Sequence, residues 1–331
     1  AGKVRGLVVL ATGLGKTLLA ALDALQMGAR RVLFVAHRAE ILEQARRAFA
    51  WVLPERSAGL LMGGVREAGA ELVFASVQTL GRPGQLAQWD PGRFDLIVID
   101  EFHHAAAVGY RRVLSHFRPR FLLGLTATPE RSDGAELLTL CDDNLVFRAD
   151  LTEAIAAGRL VPFAYHGLKD SVDYQAIPWR SGRFEPEALS RALATVSHAE
   201  QALRGYREHA PEGPRRGLWF CASIRHAEFM AAFLNERGIA AVAVHSEPGG
   251  QPRGASLRAL AAGTIEAITT VDVFNEGVDV PDVNVVVLLR PTESRVVFLQ
   301  QIGRGLRLPV HSYKPRLVIL DFIGNHRSFL A

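Results

Sequence analysis

The segment ATGLGKT, Ala11 to Thr17, lies between a short apolar run and a helical pattern. A glycine-rich turn that follows a strand and opens a helix directs its amide groups, and the positive end of the helix, at one spot where phosphate oxygens bind. Lys16 would reach the outer phosphates and Thr17 would hold Mg²⁺. The first glycine of the general P-loop pattern is replaced by Leu10. The segment predicts an α/β nucleotide-binding domain, and the expected phosphate-lining residues are Thr12, Gly13, Leu14, Gly15, Lys16 and Thr17.

Apolar runs alternate with helical patterns on both sides of the loosely patterned stretch 156–215, as in parallel sheets built from βαβ units. The chain has 331 residues, too many for one typical core. We therefore expect an α/β protein with two domains, 1–155 and 216–331, and we expect 156–215 to form a connector and the start of the second domain.

A second cluster of polar residues ends an apolar run in the segment IVIDEFHHA, Ile97 to Ala105. Polar residues at the carboxyl end of a parallel strand face the ligand crevice. Asp100 is expected to hold Mg²⁺, and Glu101 to orient and deprotonate an attacking water. An isolated acidic pair is more often a solvated strand end, but the phosphate loop upstream favours the catalytic interpretation.

A third cluster lies in FLQQIGRGLR, Phe298 to Arg307. On a continuous helix, Gln300, Arg304 and Arg307 would share one face, opposite an apolar face. An arginine that contacts the transferred phosphoryl group accelerates the reaction by about 10³ to 10⁵-fold. The run that opens the second domain is followed by no glycine loop, so we expect these side chains to complete a single nucleotide site from across a cleft.

Bulk composition narrows the class of protein only partly. Basic residues outnumber acidic ones by 38 to 34, which is compatible with a polyanionic partner. The two cysteines show no disulfide or zinc pattern, which fits a cytoplasmic protein, and we expect no membrane segment. The chain begins abruptly near a strand, so we expect it to be a fragment from which further domains are missing.

Taken in order, these segments and five others resemble the motifs of superfamily 2 helicases. ATGLGKT resembles motif I, VAHRAEILEQ from Val35 motif Ia, SVQTL from Ser76 motif Ib, IDEFHHA the DExH form of motif II, and LTATPER from Leu125 motif III. WFCAS from Trp219 is similar to motif IV, TTVDVFNEGVDVPD from Thr269 to motif V, and QQIGRGLR from Gln300 to motif VI. The match spans nearly the whole chain.

This resemblance implies two RecA-like P-loop NTPase lobes, each a mainly parallel sheet flanked by helices, with ATP and Mg²⁺ in the cleft between them. It implies that Gly277 and Asp279 sense the nucleotide, that Arg304 and Arg307 contact the γ-phosphate, and that His103, Thr126 and Thr128 couple nucleotide state to a nucleic-acid strand. The implied nucleic-acid contacts are His37, Arg38, Ser76, Gln78, Thr79, Ser223, Thr269 and Thr270.

The wording of motifs Ia, V and VI looks most like the DNA-directed branch, which includes restriction motors and bacterial repair helicases. We therefore expect an ATPase that moves along DNA rather than RNA. Duplex translocation without strand separation, a non-hydrolysing nucleic-acid-binding scaffold and a small-molecule P-loop kinase are the alternatives. No strand-separating aromatic hairpin is expected, and Trp51, Trp89, Trp179 and Trp219 are expected in the core or at its rim.

Overall fold

The computed structural model describes residues 2–127, 134–180, 183–271, 281–291, 295–303, 305–309 and 313–322. The chain divides into two compact units, Ala1–Ala156 and Ala157–Ala331. Each unit holds its own parallel sheet, which confirms the predicted α/β class with two mainly parallel sheets.

The sheet of the first unit has the strand order β4-β3-β5-β2-β6-β7-β1-β8 within the described residues. Its strands are β1 Arg5–Leu10, β2 Val32–Ala36, β3 Ala58–Met62, β4 Val65–Arg66, β5 Leu72–Ser76, β6 Leu96–Ile99, β7 Phe121–Thr126 and β8 Leu145–Ala149. Its helices are α1 Lys16–Gln26, α2 Ala39–Val52, α3 Val77–Leu80, α4 Pro83–Leu86, α5 Val108–His116, α6 Gly134–Leu140 and α7 Leu151–Ala156. All neighbouring strands run parallel except β3 and β4, which are antiparallel.

Both faces of the central strands are buried, which explains why these strands are nearly continuous apolar runs; the buried strands are β1, β2, β5, β6 and β7. Consecutive strand residues point to opposite faces. In β2, Leu33 and Val35 pack into one hydrophobic cluster with α5, while Phe34 and Ala36 pack into a second cluster with α1 and α2. An alternating apolar and polar pattern is therefore not required, and polar residues appear where the strands end.

The second unit contains a parallel sheet with the order β13-β14-β12-β15-β16-β9 and a separate two-stranded hairpin. Its strands are β9 Phe163–Gly167, β10 Trp179–Arg180, β11 Arg183–Phe184, β12 Gly217–Phe220, β13 Ala241–Val244, β14 Ala267–Thr270, β15 Val285–Leu288 and β16 Leu317–Asp321. Its helices are α8 Pro186–Leu193, α9 Val196–His209, α10 Ile224–Glu236, α11 Arg253–Ala262 and α12 Arg295–Gly303.

The stretch 156–215 is more ordered than its loose sequence pattern indicates. It supplies β9, which pairs with β16 at the edge of the second sheet, and α9, which packs Leu203 and Tyr206 into the core of the second unit. It also contains the antiparallel pair β10 and β11. Trp179 and Phe184 face each other across that pair, and the expectation that the chain has no strand-separating aromatic hairpin stays a prediction.

The tryptophans divide into two classes by exposure. Trp89 and Trp219 are buried, while Trp51 and Trp179 are 74% and 55% exposed. The core-or-rim expectation therefore holds for the first two and is wrong for the second two. In the described part of the chain, no helix is long and apolar enough to cross a membrane.

Candidate nucleotide site and nucleic-acid contacts

The phosphate loop occupies residues 11–15, between β1 and α1. Gly13 and Gly15 have φ angles of 100° and 80°, in the left-handed region that favours glycine. Gly15 is the N-cap of α1, where a Cβ would meet open space. Gly15 has no side chain with which to cap this helix end, and the first turn of α1 carries no acidic residue. The first amides of α1 are therefore available to an anion, in line with the positive end of the helix.

Lys16 and Thr17 are the first two residues of α1, and both are partly buried. The Lys16 Nζ donates a 3.3 Å hydrogen bond to the carbonyl oxygen of Leu10, at the end of β1. That contact is long for a hydrogen bond. The ammonium group is therefore held over the loop by a weak interaction that a phosphate oxygen can replace.

The acidic pair follows β6 at the same edge of the sheet, because all three strands β6, β7 and β1 run parallel and adjacent. Asp100 and Glu101 are 5% and 9% exposed. The Asp100 carboxylate accepts a 2.9 Å hydrogen bond from the amide of Glu101, and the Asp100 amide donates to the Val35 carbonyl at 3.0 Å. The aspartate is thus fixed against β2.

Glu101 adopts a left-handed backbone conformation, with φ 50° and ψ 52°. A non-glycine residue in that region is uncommon, and such residues concentrate at functional sites. The turn ends the strand direction and sends Phe102 into the core, where its ring packs over Gly124 of β7. Glycine at 124 is required for this packing, since a Cβ there would lie 2.8 Å from the ring.

His103 connects the acidic pair to the neighbouring strand. Its Nδ1 lies 3.2 Å from the Glu101 Oε2 and 3.4 Å from the Thr126 Oγ1. All three side chains are buried. Two of the predicted coupling residues, His103 and Thr126, therefore contact each other and one of them contacts the predicted catalytic carboxylate, whereas Thr128 lies outside the described residues.

The donor set fits ATP with Mg²⁺. A magnesium ion takes oxygen ligands, and in nucleotide sites it keeps few protein ligands, with phosphate and water completing the shell. The Asp100 carboxylate directly follows β6, and the Thr17 hydroxyl lies in the first turn of the helix that follows β1, with only β7 between these two strands. Both are oxygen donors of the kind that Mg²⁺ prefers.

The predicted nucleic-acid contacts of the first unit lie where the adjacent strands β2 and β5 end. The Gln78 Nε2 donates to the carbonyl of His37 at 2.9 Å, which brings the two motifs together. Gln78 is exposed, whereas Ser76 and Thr79 are buried and hydrogen-bonded to each other at 2.9 Å. Ser76 also caps α3. The exposed Gln78 and the partly exposed His37 and Arg38 are thus the accessible side chains.

Among the predicted contacts of the second unit, Ser223 and the two threonines differ. Ser223 caps α10 and its Oγ lies 2.6 Å from the Ser190 Oγ. Thr269 and Thr270 are fully buried on β14, and their hydroxyls donate to backbone carbonyls, at 2.7 Å to Ala227 and 3.0 Å to Val244. Their assignment as nucleic-acid contacts is corrected, because neither side chain reaches the surface.

The predicted arginine face of the third cluster is also corrected. Helix α12 ends at Gly303, and Arg307 forms an isolated antiparallel bridge with Leu160 instead of a further helical turn. Gln300 is 2% exposed. Gln300 and Arg307 therefore do not share one helical face. Arg304, Gly277 and Asp279 lie outside the described residues.

Sequence reasoning missed Lys314. Its side chain is buried, and its Nζ donates to the carbonyls of Val283 at 3.1 Å, Gly305 at 3.0 Å and Pro281. Pro281 and Gly305 lie within the segments that resemble motifs V and VI, and Val283 directly follows the first of them. Lys314 thus connects the two segments through hydrogen bonds to both. The sequence offers one signal for this residue, which is that lysine is rare in the chain, with four in total.

Two family profiles match the chain. The profile for the type III restriction enzyme res subunit covers residues 1–131, and the helicase conserved C-terminal domain covers residues 200–309. IRC3 of Saccharomyces cerevisiae, named as an ATP-dependent helicase, is 30% identical over 96% of this chain and 48% of its own length. The DNA 3'-5' translocase XPB2 of Sulfurisphaera tokodaii is 25% identical over 92% of this chain and 75% of its own.

A solved structure extends the likeness to three dimensions. A fragment of an HsdR subunit of a type I restriction enzyme from Vibrio vulnificus is 27% identical, with a TM-score of 0.76 over 100% of this chain and 62% of that one. The chain spans about half the length of the first curated relatives it matches, 48% and 55%.

Proposed function

Because the chain belongs to the superfamily 2 helicases, we propose that it is the motor part of an ATP-dependent DNA helicase or translocase, which couples ATP hydrolysis to movement along DNA. The observation that carries the proposal is the contact of Glu101 with His103, which also reaches Thr126. A carboxylate at the same sheet edge as a phosphate loop can activate water for hydrolysis of a bound nucleotide. His103 links this carboxylate to Thr126 at the end of β7, so a change in the charge beside Glu101 can alter the position of β7.

The proposed chemistry assigns one task to each residue. The amides at the start of α1 and the Lys16 ammonium bind the β- and γ-phosphates. Thr17 and Asp100 would hold Mg²⁺, which neutralises developing negative charge on the phosphates. Glu101 orients a water for in-line attack on the γ-phosphorus and accepts its proton, while the bond from that phosphorus to the bridging oxygen of ADP breaks.

His103 and Thr126 act in this scheme as positioning residues. When the Nδ1 of His103 carries the proton it donates to Glu101 and fixes the carboxylate, and Thr126 lies within reach of the same nitrogen. Loss of the γ-phosphate changes the charge beside Glu101, and the change passes along this contact to β7. Contacts of Arg304 and Arg307 with the γ-phosphate, of Gln300 with the site, and of Gly277, Asp279 and Thr128 with the nucleotide or its coupling stay predictions.

For the nucleic acid, we propose that Arg38, His37 and Gln78 contact the strand on the first unit and that Ser223 does so on the second. Arginine and neutral polar side chains are the usual partners of phosphate oxygens. The preference for DNA over RNA is supported by the names of the relatives, a DNA translocase and a restriction subunit.

The experiment is steady-state ATP hydrolysis with single-stranded DNA, duplex DNA, RNA or no nucleic acid, at fixed ionic strength because phosphate contacts are salt-sensitive. Lys16→Ala and Glu101→Gln should abolish turnover. Glu55→Gln, an exposed carboxylate far along the chain from the site, is the matched control and should hydrolyse ATP at the wild-type rate.

Turnover that DNA stimulates and both variants lose supports the motor. Wild-type affinity for DNA with no turnover above that of Glu101→Gln would make the chain a binding scaffold instead. Strand-displacement and triplex-displacement assays then separate unwinding from duplex translocation, since a translocase that does not separate strands succeeds only in the latter.

A further inference from the structure

The hairpin of β10 and β11 presents an exposed tryptophan. It belongs to neither parallel sheet, and its strands pair Trp179 with Phe184 and Arg180 with Arg183. Trp179 is 55% exposed, and Arg180 beside it is exposed as well. Tryptophan is usually largely buried. More than half of this indole surface instead faces solvent, next to a positive charge.

The Trp179 ring is supported by a series of contacts with other side chains of the second unit. Trp179 meets Phe184 edge-on, with ring centroids 4.6 Å apart and planes at 85°, and Phe184 in turn contacts Tyr174 at 5.9 Å. The Tyr174 hydroxyl donates to Asp170 at 2.6 Å. Asp170 lies 3.7 Å from the ring of His198, which is 1% exposed within α9. A chain of contacts thus anchors the hairpin to the core of the second unit.

The helix that follows the hairpin contacts a residue already proposed to contact nucleic acid, Ser223. Its second strand runs directly into α8, whose N-terminus is capped by the Glu185 side chain, and the Glu185 amide closes the hairpin on the Pro178 carbonyl at 2.8 Å. Ser190 of α8 contacts Ser223 through their hydroxyl oxygens at 2.6 Å. Ser190 lies five positions after Glu185 along the helix, a rise of roughly 8 Å.

We propose that Trp179 is a stacking site for a base of a single-stranded nucleic acid that passes Ser223. The inference rests on the proposed function, because Ser223 marks the path of the strand. Aromatic rings on rigid supports stack bases of single strands, whose π-faces are open, and nearby arginines hold the backbone. Paired bases in a duplex have no open face, so the site selects single strands.

The direct test is equilibrium binding of a fluorescent oligothymidylate by the full chain without nucleotide, for wild type, Trp179→Ala and Trp179→Phe. Trp51→Ala is the matched control, since Trp51 is 74% exposed on α2 of the other unit. Loss of one stacked base corresponds to a rise in Kd of roughly 5- to 150-fold. We expect that rise for Trp179→Ala, near-wild-type binding for Trp179→Phe and Trp51→Ala, and unchanged affinity for blunt duplex DNA.

A second measurement does not depend on a loss of function. In a Trp51→Phe background Trp179 is the exposed tryptophan, because Trp89 and Trp219 are buried. Stacking on a base should quench its emission on titration with oligothymidylate. Absence of quenching while anisotropy shows binding would overturn the proposal, as would equal affinities of Trp179→Ala and Trp51→Ala. A thermal melt of each variant identifies any loss through misfolding.

Failure of the motor and failure of the stacking site give different results. Absence of ATP turnover with a large Trp179→Ala defect refutes the motor and keeps the stacking site. Normal DNA-stimulated turnover with no Trp179 effect on binding or emission does the reverse. A wild-type chain that binds no single strand refutes the stacking site outright.

Discussion

Replacing Gly124 by alanine should displace the proposed catalytic carboxylate of Glu101 by pushing on the buried ring of Phe102. The added Cβ would lie 2.8 Å from Cγ and Cδ2 of the Phe102 ring and 3.1 Å from Cε2. Carbon atoms in contact are normally about 3.5–4.0 Å apart, so the ring must move by roughly 1 Å. Phe102 is fully buried and is bonded directly to Glu101, whose left-handed backbone sets the direction of both side chains.

Two magnitudes follow from this displacement. Overpacking a tight core costs about 1–3 kcal/mol of unfolding free energy. Misplacing a catalytic group by about 1 Å costs on the order of 10²-fold in rate. We therefore expect Gly124→Ala to lower the ATP turnover of the folded protein by roughly 10- to 100-fold, with KM for ATP little changed because the phosphate loop is untouched.

The matched control is Gly6→Ala on β1. Its Cβ would lie 2.5 Å from Cγ2 of Val146 and 3.0 Å from Cζ of Phe121, a comparable overpacking. Gly6 is four residues from the end of β1, about 13 Å from the phosphate loop. Both variants should lose stability in urea denaturation, but Gly6→Ala should keep wild-type turnover. If Gly124→Ala loses the same stability and also keeps full turnover, the steric link to Glu101 is wrong.

Two further predictions concern the stability of the second unit. Lys314→Met leaves carbonyls of Pro281, Val283 and Gly305 without the buried ammonium, and should lower the unfolding free energy by about 3 kcal/mol or more; a urea midpoint unchanged from wild type would contradict this. Burial, with a smaller effect of the nearby His198, lowers the pKa of His226 to about 3. The unfolded chain then takes up a proton that the folded chain does not, so stability that is fully present above pH 6.5 should fall by about 1.4 kcal/mol per pH unit between about pH 6 and the folded pKa of about 3. Urea denaturation at pH 7 and pH 5 should show a smaller difference for His226→Gln, and equal differences in the two proteins would exclude His226 as the cause.

Local sequence determined the elements that carry the nucleotide chemistry. Strand β1, the loop 11–15 and helix α1 follow from an apolar run, two glycines in the left-handed region and a helical pattern that begins at Lys16. Asp100 and Glu101 end β6 as expected. These features depend on contacts between residues close in the chain, and parallel strands bring their carboxyl ends to one edge whatever their order.

Tertiary structure decided which polar residues remain accessible. The resemblance implied nucleic-acid contacts for Thr269 and Thr270, yet β14 lies inside the second sheet, where α10 and β13 cover both hydroxyls. Helix α12 of the third cluster spans Arg295–Gly303, and Arg307 pairs with Leu160, more than 140 positions earlier, instead of extending a helical face. The burial of a side chain depends on elements distant in sequence, so a local sequence pattern cannot predict it.

Lys314 and Trp179 of the second unit were not identified from the sequence, because their surroundings also depend on elements distant in the chain. Lys314 is an ordinary lysine in the sequence and becomes a buried bridge only because three carbonyls from two other segments converge on it. In the sequence, Trp179 cannot be distinguished from a core aromatic residue. In the structure it lies on the exposed side of the hairpin, in contact with Phe184, which in turn contacts Tyr174. The sequence alone determined the chemistry of the phosphate loop and the acidic pair through local geometry; only long-range packing decided which other side chains are buried and which can meet a partner.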